Sequence, residues 1–183
     1  MIEIKDKKDC AGCTACTEIC PKKCIQMKPD EEGFLYPVVD KNRCVECNAC
    51  NMVCPIQNPI TEEEKPQKAY LVQHCDEKVR LDSSAGGAFT AIATVVLQRG
   101  GVVFGAAYDE NFHVQHTYVE AVNELKRFRN SKYVQSDLGD SFCLVKDFLQ
   151  KDRWVCFSGT PCQIEGLSTV SYTHLRAHET EAD

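Results

Sequence analysis

The chain has 183 residues and a mass of 20.5 kDa, enough for one medium domain or two small ones. Hydrophobic residues make up 43% and charged residues 26%, which is typical of soluble globular proteins and excludes a disordered chain. The net charge of -6 argues against a nucleic-acid or anionic-membrane surface, and the longest apolar run, residues 85–97, is too short and broken to span a bilayer.

The most unusual feature is the number of cysteines, which is 13. The N-terminal segment MIEIKDKKD is charged and lacks the apolar stretch of a secretory signal, so we expect a cytoplasmic location. Cysteines in a reducing compartment are better explained as metal ligands than as disulfides. Most of them fall in two groups near the N-terminus: Cys10, Cys13, Cys16, Cys20 and Cys24, then Cys44, Cys47, Cys50 and Cys54.

The two groups are copies of one repeat. A shift of 34 residues superimposes the first four cysteines and Pro21 on the second four and Pro55, and each copy reads C-x2-C-x2-C-x3-C-P. Three thiolates on such a loop can occupy three corners of a [4Fe-4S] cube, and the fourth cysteine points to the other cluster. The small residues Gly12, Ala15 and Ala49 would let backbone N–H groups approach the sulfurs.

The repeat therefore predicts two [4Fe-4S] clusters with crossed ligand sets. The first set is Cys10, Cys13, Cys16 and Cys54, and the second is Cys44, Cys47, Cys50 and Cys20. Zinc sites use two C-x2-C pairs separated by a longer gap, and a disulfide framework needs an oxidising compartment, so both alternatives fit the spacing poorly. We expect the fourth cysteine of each copy to start a short helix, and Cys24, which has no counterpart in the second copy, to be a small buried residue.

The elements between and after the repeats can be placed in chain order. Residues 25–39 read as a β-hairpin with Gly33 in its turn, and residues 58–68 as a linker rich in proline and glutamate. Beyond the linker, strand and helix patterns alternate, which predicts a sheet with helices packed on it. The predicted strands are residues 69–72, 102–108, 113–119 and 154–157, and the predicted helices are residues 84–99, 123–128 and 141–149.

Two glycine-bearing segments of this second half could bind a cofactor. Ser83, Ser84, Gly86 and Gly87 open a helix, where free N–H groups and hydroxyls can receive a phosphate, although a capped and closely packed helix start explains them equally well. The segment Ser158-Gly159-Thr160-Pro161-Cys162 joins a strand to a helix, with a cysteine in the first turn. Neither G-x-G-x-x-G nor G-x4-G-K-[ST] is present, so no nicotinamide or ATP fingerprint is found.

Four stretches of the second half carry a family resemblance: SSAGGAFTAIA, GGVVFGAAYDENF, FRNSKYVQSDLGD and VCFSGTPCQIEGL. Over residues 69–167 the chain resembles the coenzyme F-420 hydrogenase/dehydrogenase beta-subunit family, and residues 1–60 resemble a bacterial-type ferredoxin domain with two [4Fe-4S] clusters. The fold class that follows is α+β: a ferredoxin-like two-cluster domain and then an incomplete α/β flavin-type domain.

The resemblance implies a flavin, FAD, that exchanges electrons with the clusters, with coenzyme F-420 as a candidate substrate and a redox protein or subunit as partner. It places a set of residues at or near the flavin: Ser83, Ser84, Gly86, Gly87, Lys132, Gly159, Thr160 and Cys162. Some members of the family hold a further cluster, so Cys162 is either a ligand or a pocket residue. The other three cysteines, Cys75, Cys143 and Cys156, are interpreted as core thiols.

The last residues depart from this resemblance. Residues 168–183, STVSYTHLRAHETEAD, resemble a translated sequencing adaptor, so we expect a truncated chain. His174 and His178 stand four residues apart, but without complementary ligands we reject a metal site there. Two functions remain open at this point: an iron–sulfur flavoprotein oxidoreductase, and a non-catalytic ferredoxin-type electron carrier whose second half only docks a partner.

Overall fold

The computed structural model describes residues 1–59 and 68–176, and for residues 172–176 it describes the backbone alone. The predicted linker, residues 61–68, lies almost entirely outside the described residues, as does His178. The chain divides into two units by its internal contacts. The first unit joins Met1–Glu62 with Gly159–Asp183, and the second is Glu63–Ser158.

The first unit contains the predicted β-hairpin. Strand β1 (Ile25–Pro29) pairs antiparallel with β2 (Leu35–Val39), in a register that sets Ile25 opposite Val39. The turn has Gly33 at a φ of 89°, a left-handed conformation that glycine adopts without a steric penalty. The carboxylate of Asp30 accepts hydrogen bonds from the backbone N–H groups of Glu32 and Phe34 at 3.0 Å each, which closes the turn. The hairpin prediction is confirmed.

Two one-turn helices, α1 (Ala15–Glu18) and α2 (Ala49–Met52), occupy equivalent positions in the two repeats. Each contains the third cysteine of its copy, Cys16 or Cys50, and both of these are buried. The expectation that the fourth cysteine starts a helix is wrong, because Cys20 and Cys54 follow the helix ends. Each is followed by a proline, which cannot continue the helical hydrogen bonding.

The second unit is built around a three-stranded sheet of order β4-β3-β5. Strand β3 (Val102–Tyr108) is central; β4 (Val114–Val119) runs antiparallel to it and β5 (Val155–Phe157) parallel. Two helices precede the sheet in sequence, α3 (Glu77–Leu81) and α4 (Ala88–Gln98). Between β4 and β5 the chain forms a 3-10 helix (Val122–Phe128) and then α5 (Ser141–Gln150). The whole described chain is thus a mixed α+β structure with two small sheets.

The core of the second unit forms between α4, the sheet and the 3-10 helix. Its buried members are Ala93, Val96, Leu97, Val103, Val119 and Leu125, with Phe89 and Phe128 packed against them. The α4 residues recur every three or four positions, so they form one helix face. Val103 and Val119 are directly opposite each other on β3 and β4, so their side chains lie on the same face of the sheet. This agrees with the apolar patterns of residues 84–99, 102–108 and 113–119.

One predicted strand is missing, and one predicted helix is shorter than expected. Residues 69–72 form no strand, and Tyr70, Leu71 and Val72 are exposed, because the segment pairs with no strand of the sheet. Helix α4 begins at Ala88 and not at Ser84, because Gly87 has a φ of 82° and so cannot belong to a right-handed helix.

The last described helix, α6 (Pro161–Arg176), corrects the predicted division of the chain. Residues 159–167 were expected to belong to the second domain, but they group with the first unit. The hydroxyl of Thr169 donates to the carbonyl of Val53 at 3.0 Å, and Gly166 lies against Cys13. Within residues 1–59 and 68–176, no helix is long and apolar enough to cross a membrane.

Candidate metal centres and cofactor cavity

A first cavity of about 360 Å³ in the first unit is lined by the four cysteines of the first predicted ligand set. Cys10, Cys13 and Cys16 come from the loop before and inside α1, whereas Cys54 arrives from the second repeat. None of these four side chains is exposed. The rest of the wall is largely apolar: Ile2, Ile4, Met27, Pro37, Pro55 and Ile56.

A second cavity of about 330 Å³ is lined by the other four predicted ligands. Three come from the second repeat and the fourth from the first: Cys44, Cys47, Cys50 and Cys20. Here Cys47 is exposed, whereas none of the first four cysteines is. The structure thus brings together each crossed set, and the ligand assignment stays a prediction.

The backbone of the two cysteine loops repeats along with the sequence. Gly12 and Glu46 occupy equivalent positions with φ of 63° and 51°, and Thr14 and Asn48 do so with φ of 62° and 64°. These left-handed residues turn the chain around each cavity and direct N–H groups inward. The Glu46 N–H donates to the Cys44 sulfur at 3.4 Å, and the Gly12 N–H makes the matching bond to Cys10.

Burial dominates the acidity of the first set of thiols. It raises the pKa of Cys10 and Cys13, although the N–H groups of Gly12 and Ala15 act in the opposite direction. Burial, reinforced by the neighbouring thiols, raises the pKa of Cys16 to about 12. A thiol with so high a pKa favours the protonated form in the absence of cationic partners, so metal binding at this cavity must release protons.

Cys20 has the opposite behaviour. Burial would raise its pKa, but hydrogen bonds from Cys24 and from the backbone N–H groups of Lys22 and Lys23 lower it. The sulfur therefore lies in a turn whose donors stabilise a thiolate, which is the form in which cysteine binds iron.

Cys24 is buried, as predicted for a small core residue, but it also lines the second cavity. Its sulfur lies 3.4 Å from that of Cys20. Burial and the thiols of Cys20 and Cys44 raise the pKa of Cys24 to about 11. No sequence signal indicates that the Cys20 and Cys24 sulfurs are close, because Cys24 has no counterpart in the second repeat.

The donor sets fit [4Fe-4S] clusters. The first cavity presents four thiols on a largely apolar wall, and the second presents its four predicted ligands together with Cys24. The N–H groups of Gly12 and Glu46 donate to sulfur in the first and second cavity, respectively. Among the described residues, no three His, Cys, Asp or Glu side chains are close enough to hold a single metal ion.

The second unit contains a larger cavity of about 1090 Å³. Its wall includes four residues predicted to lie near a flavin, namely Ser83, Ser84, Gly86 and Gly87, and also Ser158. The first turn of α4 reaches the same wall, and Gly87 caps that helix without a side-chain hydrogen bond. The cavity therefore combines hydroxyls with a helix N-terminus.

The two glycines of this wall also have a packing explanation. A β-carbon on Gly86 would lie 2.3 Å from the carbonyl oxygen of Val72, and one on Gly87 would lie 2.9 Å from the side chain of His74. The N–H of His74 also donates to the carbonyl of Gly86 at 2.6 Å. Close approach of the 72–74 segment is thus sufficient to require glycine at both positions.

The remaining predicted flavin residues lie elsewhere. Lys132 does not line the cavity; its ammonium donates to the carbonyls of Arg127, Arg129 and Asn130, and so fixes the loop beside it. Gly159, Thr160 and Cys162 belong to the first unit. There the Thr160 hydroxyl lies 3.1 Å from the Cys162 sulfur, and Cys162 contributes to the raised pKa of Cys13.

Two residues of the second unit were missed by the sequence analysis. Arg129 lines the large cavity, is paired with Asp82 at 3.2 Å, and has a buried Nε without a hydrogen-bond partner. His116 holds Ser158 at the cavity wall: its Nε2 donates to that carbonyl at 3.0 Å, and its Nδ1 accepts from Ser136 at 2.8 Å. Both residues lack a sequence signal because their partners are distant in the chain.

Comparison with family models bears on the first unit. Residues 9–58 match the 4Fe-4S dicluster domain. The chain carries a 4Fe-4S dicluster ferredoxin domain at its N-terminus. Comparison with curated proteins gives no match. The ferredoxin domain includes all eight predicted cluster ligands, and it indicates a function in electron transfer.

Proposed function

We propose that the protein is an iron–sulfur flavoprotein oxidoreductase that relays electrons between a two-electron carrier and a partner protein. The observation that supports the relay is the pair of cavities in the ferredoxin domain, each lined by three cysteines of one repeat and the last cysteine of the other. When bound, such clusters carry single electrons, and a flavin exchanges electrons in pairs or singly.

The protein's own residues hold the clusters and set their surroundings. The proposed ligands are Cys10, Cys13, Cys16 and Cys54 for one cluster, and Cys44, Cys47, Cys50 and Cys20 for the other. The apolar residues around the first cavity exclude water, and the N–H groups of Gly12 and Glu46 donate to sulfur. Both factors adjust the reduction potential of a bound cluster.

The proposed flavin site is the large cavity of the second unit. A flavin needs an aromatic surface for its ring and donors for its phosphate groups, and Phe128, Arg129 and Ser84 line this wall. Arg129 has a buried donor atom still unpaired, and the first turn of α4 supplies N–H groups. FAD is the proposed cofactor, and coenzyme F-420 is one candidate for the two-electron carrier.

The non-catalytic ferredoxin-type carrier is the alternative, and one observation favours it. Because packing against Val72 and His74 accounts for Gly86 and Gly87, the glycine-rich segment needs no ligand to explain it. In this alternative the second unit serves only to dock a partner protein.

Flavin binding separates the two functions. The 183-residue chain is purified anaerobically, its iron is measured, and FAD is titrated while flavin fluorescence is followed. The oxidoreductase predicts about eight iron atoms per chain, as two [4Fe-4S] clusters require, together with saturable FAD binding. The same iron content without FAD binding would establish the carrier.

Two arginine variants control the titration. Arg129→Gln removes the charged group at the cavity wall and should weaken FAD binding by about tenfold, as expected for one lost charge-assisted hydrogen bond. Arg127→Gln, an exposed neighbour outside the wall, should leave FAD binding unchanged.

A further inference from the structure

The two cysteine cavities of the ferredoxin domain differ in how they are covered. Helix α6 lies against the first: a β-carbon on Gly166 would be 3.2 Å from both the Cβ and the Sγ of Cys13. At the second cavity, Cys47 is exposed, and Val45 of the same wall is 56% exposed. A protein that exchanges electrons with the domain can therefore contact a proposed ligand of the second cluster, Cys47, at the surface.

A basic cavity of about 590 Å³ adjoins the second cysteine cavity. Three cations and a single carboxylate line it: Lys23, Lys28 and Arg43, with Asp40. Cys24 belongs to the walls of both cavities, so a group bound in the basic cavity lies next to the proposed ligand shell. Arg43 also donates to the backbone carbonyl of Lys22 at 3.0 Å, and Lys22 itself lines the neighbouring cysteine cavity.

The positive charge here contrasts with the rest of the chain. The whole chain carries a net charge of -6, and residues 1–60 carry 8 basic and 9 acidic side chains. Lys22, Lys23, Lys28 and Arg43 are all exposed, and within the described part of the chain none of them forms an ion pair. Lys23, Lys28 and Arg43 around the basic cavity, with Lys22 at the adjoining cysteine cavity, produce a local positive potential.

We propose that this basic surface, defined by Lys22, Lys23, Lys28, Arg43, Val38 and Val45, docks an acidic face of the partner protein that exchanges electrons with the second cluster. The inference rests on the proposed electron relay. Charge complementarity identifies the partner's chemistry, because carboxylates on the partner would pair with cations that form no ion pair among the described residues.

A protein surface fits this site better than a small anion. Val38, 45% exposed, lines the basic cavity, and Val45 lines the neighbouring cysteine cavity, so the surface combines exposed apolar side chains with cations. An apolar centre with a charged rim is the usual anatomy of a protein–protein interface. A small anion would gain nothing from the exposed valines.

Binding is tested with the oxidised, cluster-loaded 183-residue chain, so that no electron moves. The probes are two haem proteins of opposite charge, a soluble acidic b5-type cytochrome and a basic c-type cytochrome, and affinity is measured by calorimetry at low and high salt. We expect the acidic cytochrome to bind more tightly at low salt. Lys23→Glu/Lys28→Glu should weaken that binding by about tenfold or more, and Lys23→Gln/Lys28→Gln by a smaller factor.

The matched control is Lys5→Glu/Lys8→Glu, which reverses the charge of two exposed lysines elsewhere in the same unit. It should change the affinity less than twofold, which is about the effect of a distant charge screened by salt. Equal weakening by both double variants would show that only net charge matters and would overturn the proposal. Tighter binding of the basic cytochrome would also overturn it. So would stronger competition by inorganic phosphate than by chloride at equal ionic strength, because the cavity would then be a small-anion site.

Electron transfer is measured separately. The reduced chain gives up one electron, which converts the ferric haem of the acidic cytochrome to the ferrous form. Binding without this transfer contradicts the relay and leaves the docking surface intact, whereas transfer that is insensitive to Lys23 and Lys28 contradicts the docking surface and leaves the relay intact. Reduction potentials of each variant exclude an indirect effect: a rate that follows only the change in potential counts against docking.

Discussion

Replacing Glu46 with glycine is expected to stabilise the ferredoxin domain. Glu46 has a φ of 51°, and the equivalent residue of the first repeat is glycine at 63°. A residue with a β-carbon loses about 1–2 kcal/mol in this left-handed conformation, while glycine costs about 0.5–1 kcal/mol in chain entropy. Glu46→Gly should therefore add about 0.5–1 kcal/mol to the free energy of unfolding.

The substitution removes nothing that the structure shows to be useful. The contact from residue 46 to the cluster site is its backbone N–H, which donates to the Cys44 sulfur at 3.4 Å and remains in the variant. The Glu46 side chain is exposed. For a domain of this size, 1 kcal/mol corresponds to about 4–8 °C in Tm, so the gain should raise the Tm by about 2–8 °C.

Anaerobic thermal unfolding of the loaded protein, followed by circular dichroism at a fixed heating rate, measures this shift. Glu46→Ala keeps the β-carbon and Glu46→Gln removes only the charge, so neither should reproduce the gain. A Tm that falls with Glu46→Gly, or rises equally with Glu46→Ala, would show that left-handed strain at this position is not what limits stability.

Three further predictions concern the cysteines, the glycine loop and the buried histidine. Cys54→Ala should abolish the spectroscopic signal of the cluster proposed for the first cavity, and loss of only the second cluster's signal would refute the crossed assignment. Cys20→Ala/Cys24→Ala should abolish the signal of the second cluster. Both cysteines are replaced because the Cys24 sulfur lies 3.4 Å from that of Cys20 and could substitute for it as a ligand. Gly86→Ala should lower the free energy of unfolding of the second unit by about 1–3 kcal/mol, the usual cost of overpacking, because the added β-carbon would collide with the carbonyl oxygen of Val72. Urea unfolding measures this change, and an unchanged midpoint would show that the collision does not occur. Burial lowers the pKa of His116 from 6.5, so as the pH falls the unfolded chain takes up a proton at this histidine before the folded chain does. The free energy of unfolding should therefore decrease as the pH drops below about 6.5, and the decrease should be complete below the folded-state pKa. His116→Gln should remove that part of the pH dependence.

Local signals in the sequence were enough for the elements whose neighbours are close in the chain. The hairpin follows from Gly33 between two apolar runs, and α4 ends where predicted because Gly100 follows it with a φ of 73°. The cysteine repeat predicts the crossed sets because four ligand positions and a proline recur with a constant shift. The first two of these signals lie within a few residues of the feature they predict, and the third is a repeat.

The errors arose where distant segments decide the structure. Residues 69–72 have a strand composition, but no sheet edge pairs with them, so their apolar side chains stay exposed. Residues 159–167 follow the second unit in sequence, yet the contact of Gly166 with Cys13 groups them with the first. Composition and periodicity describe only neighbouring residues, and neither contains information on which distant surface a segment meets.

The same contacts explain why the two cluster sites should not be equivalent. Six of the cysteines pack in one hydrophobic cluster: Cys16, Cys20, Cys24, Cys44, Cys50 and Cys54. The charge on Cys50 already contributes to the raised pKa of Cys16, so each site responds to charge on the other. In such an apolar environment an electron added to one cluster makes reduction of the second less favourable. The unpaired cations beside the second cavity oppose that penalty, and we therefore expect the electron to reside at the second cluster, where the basic surface would present it to the partner.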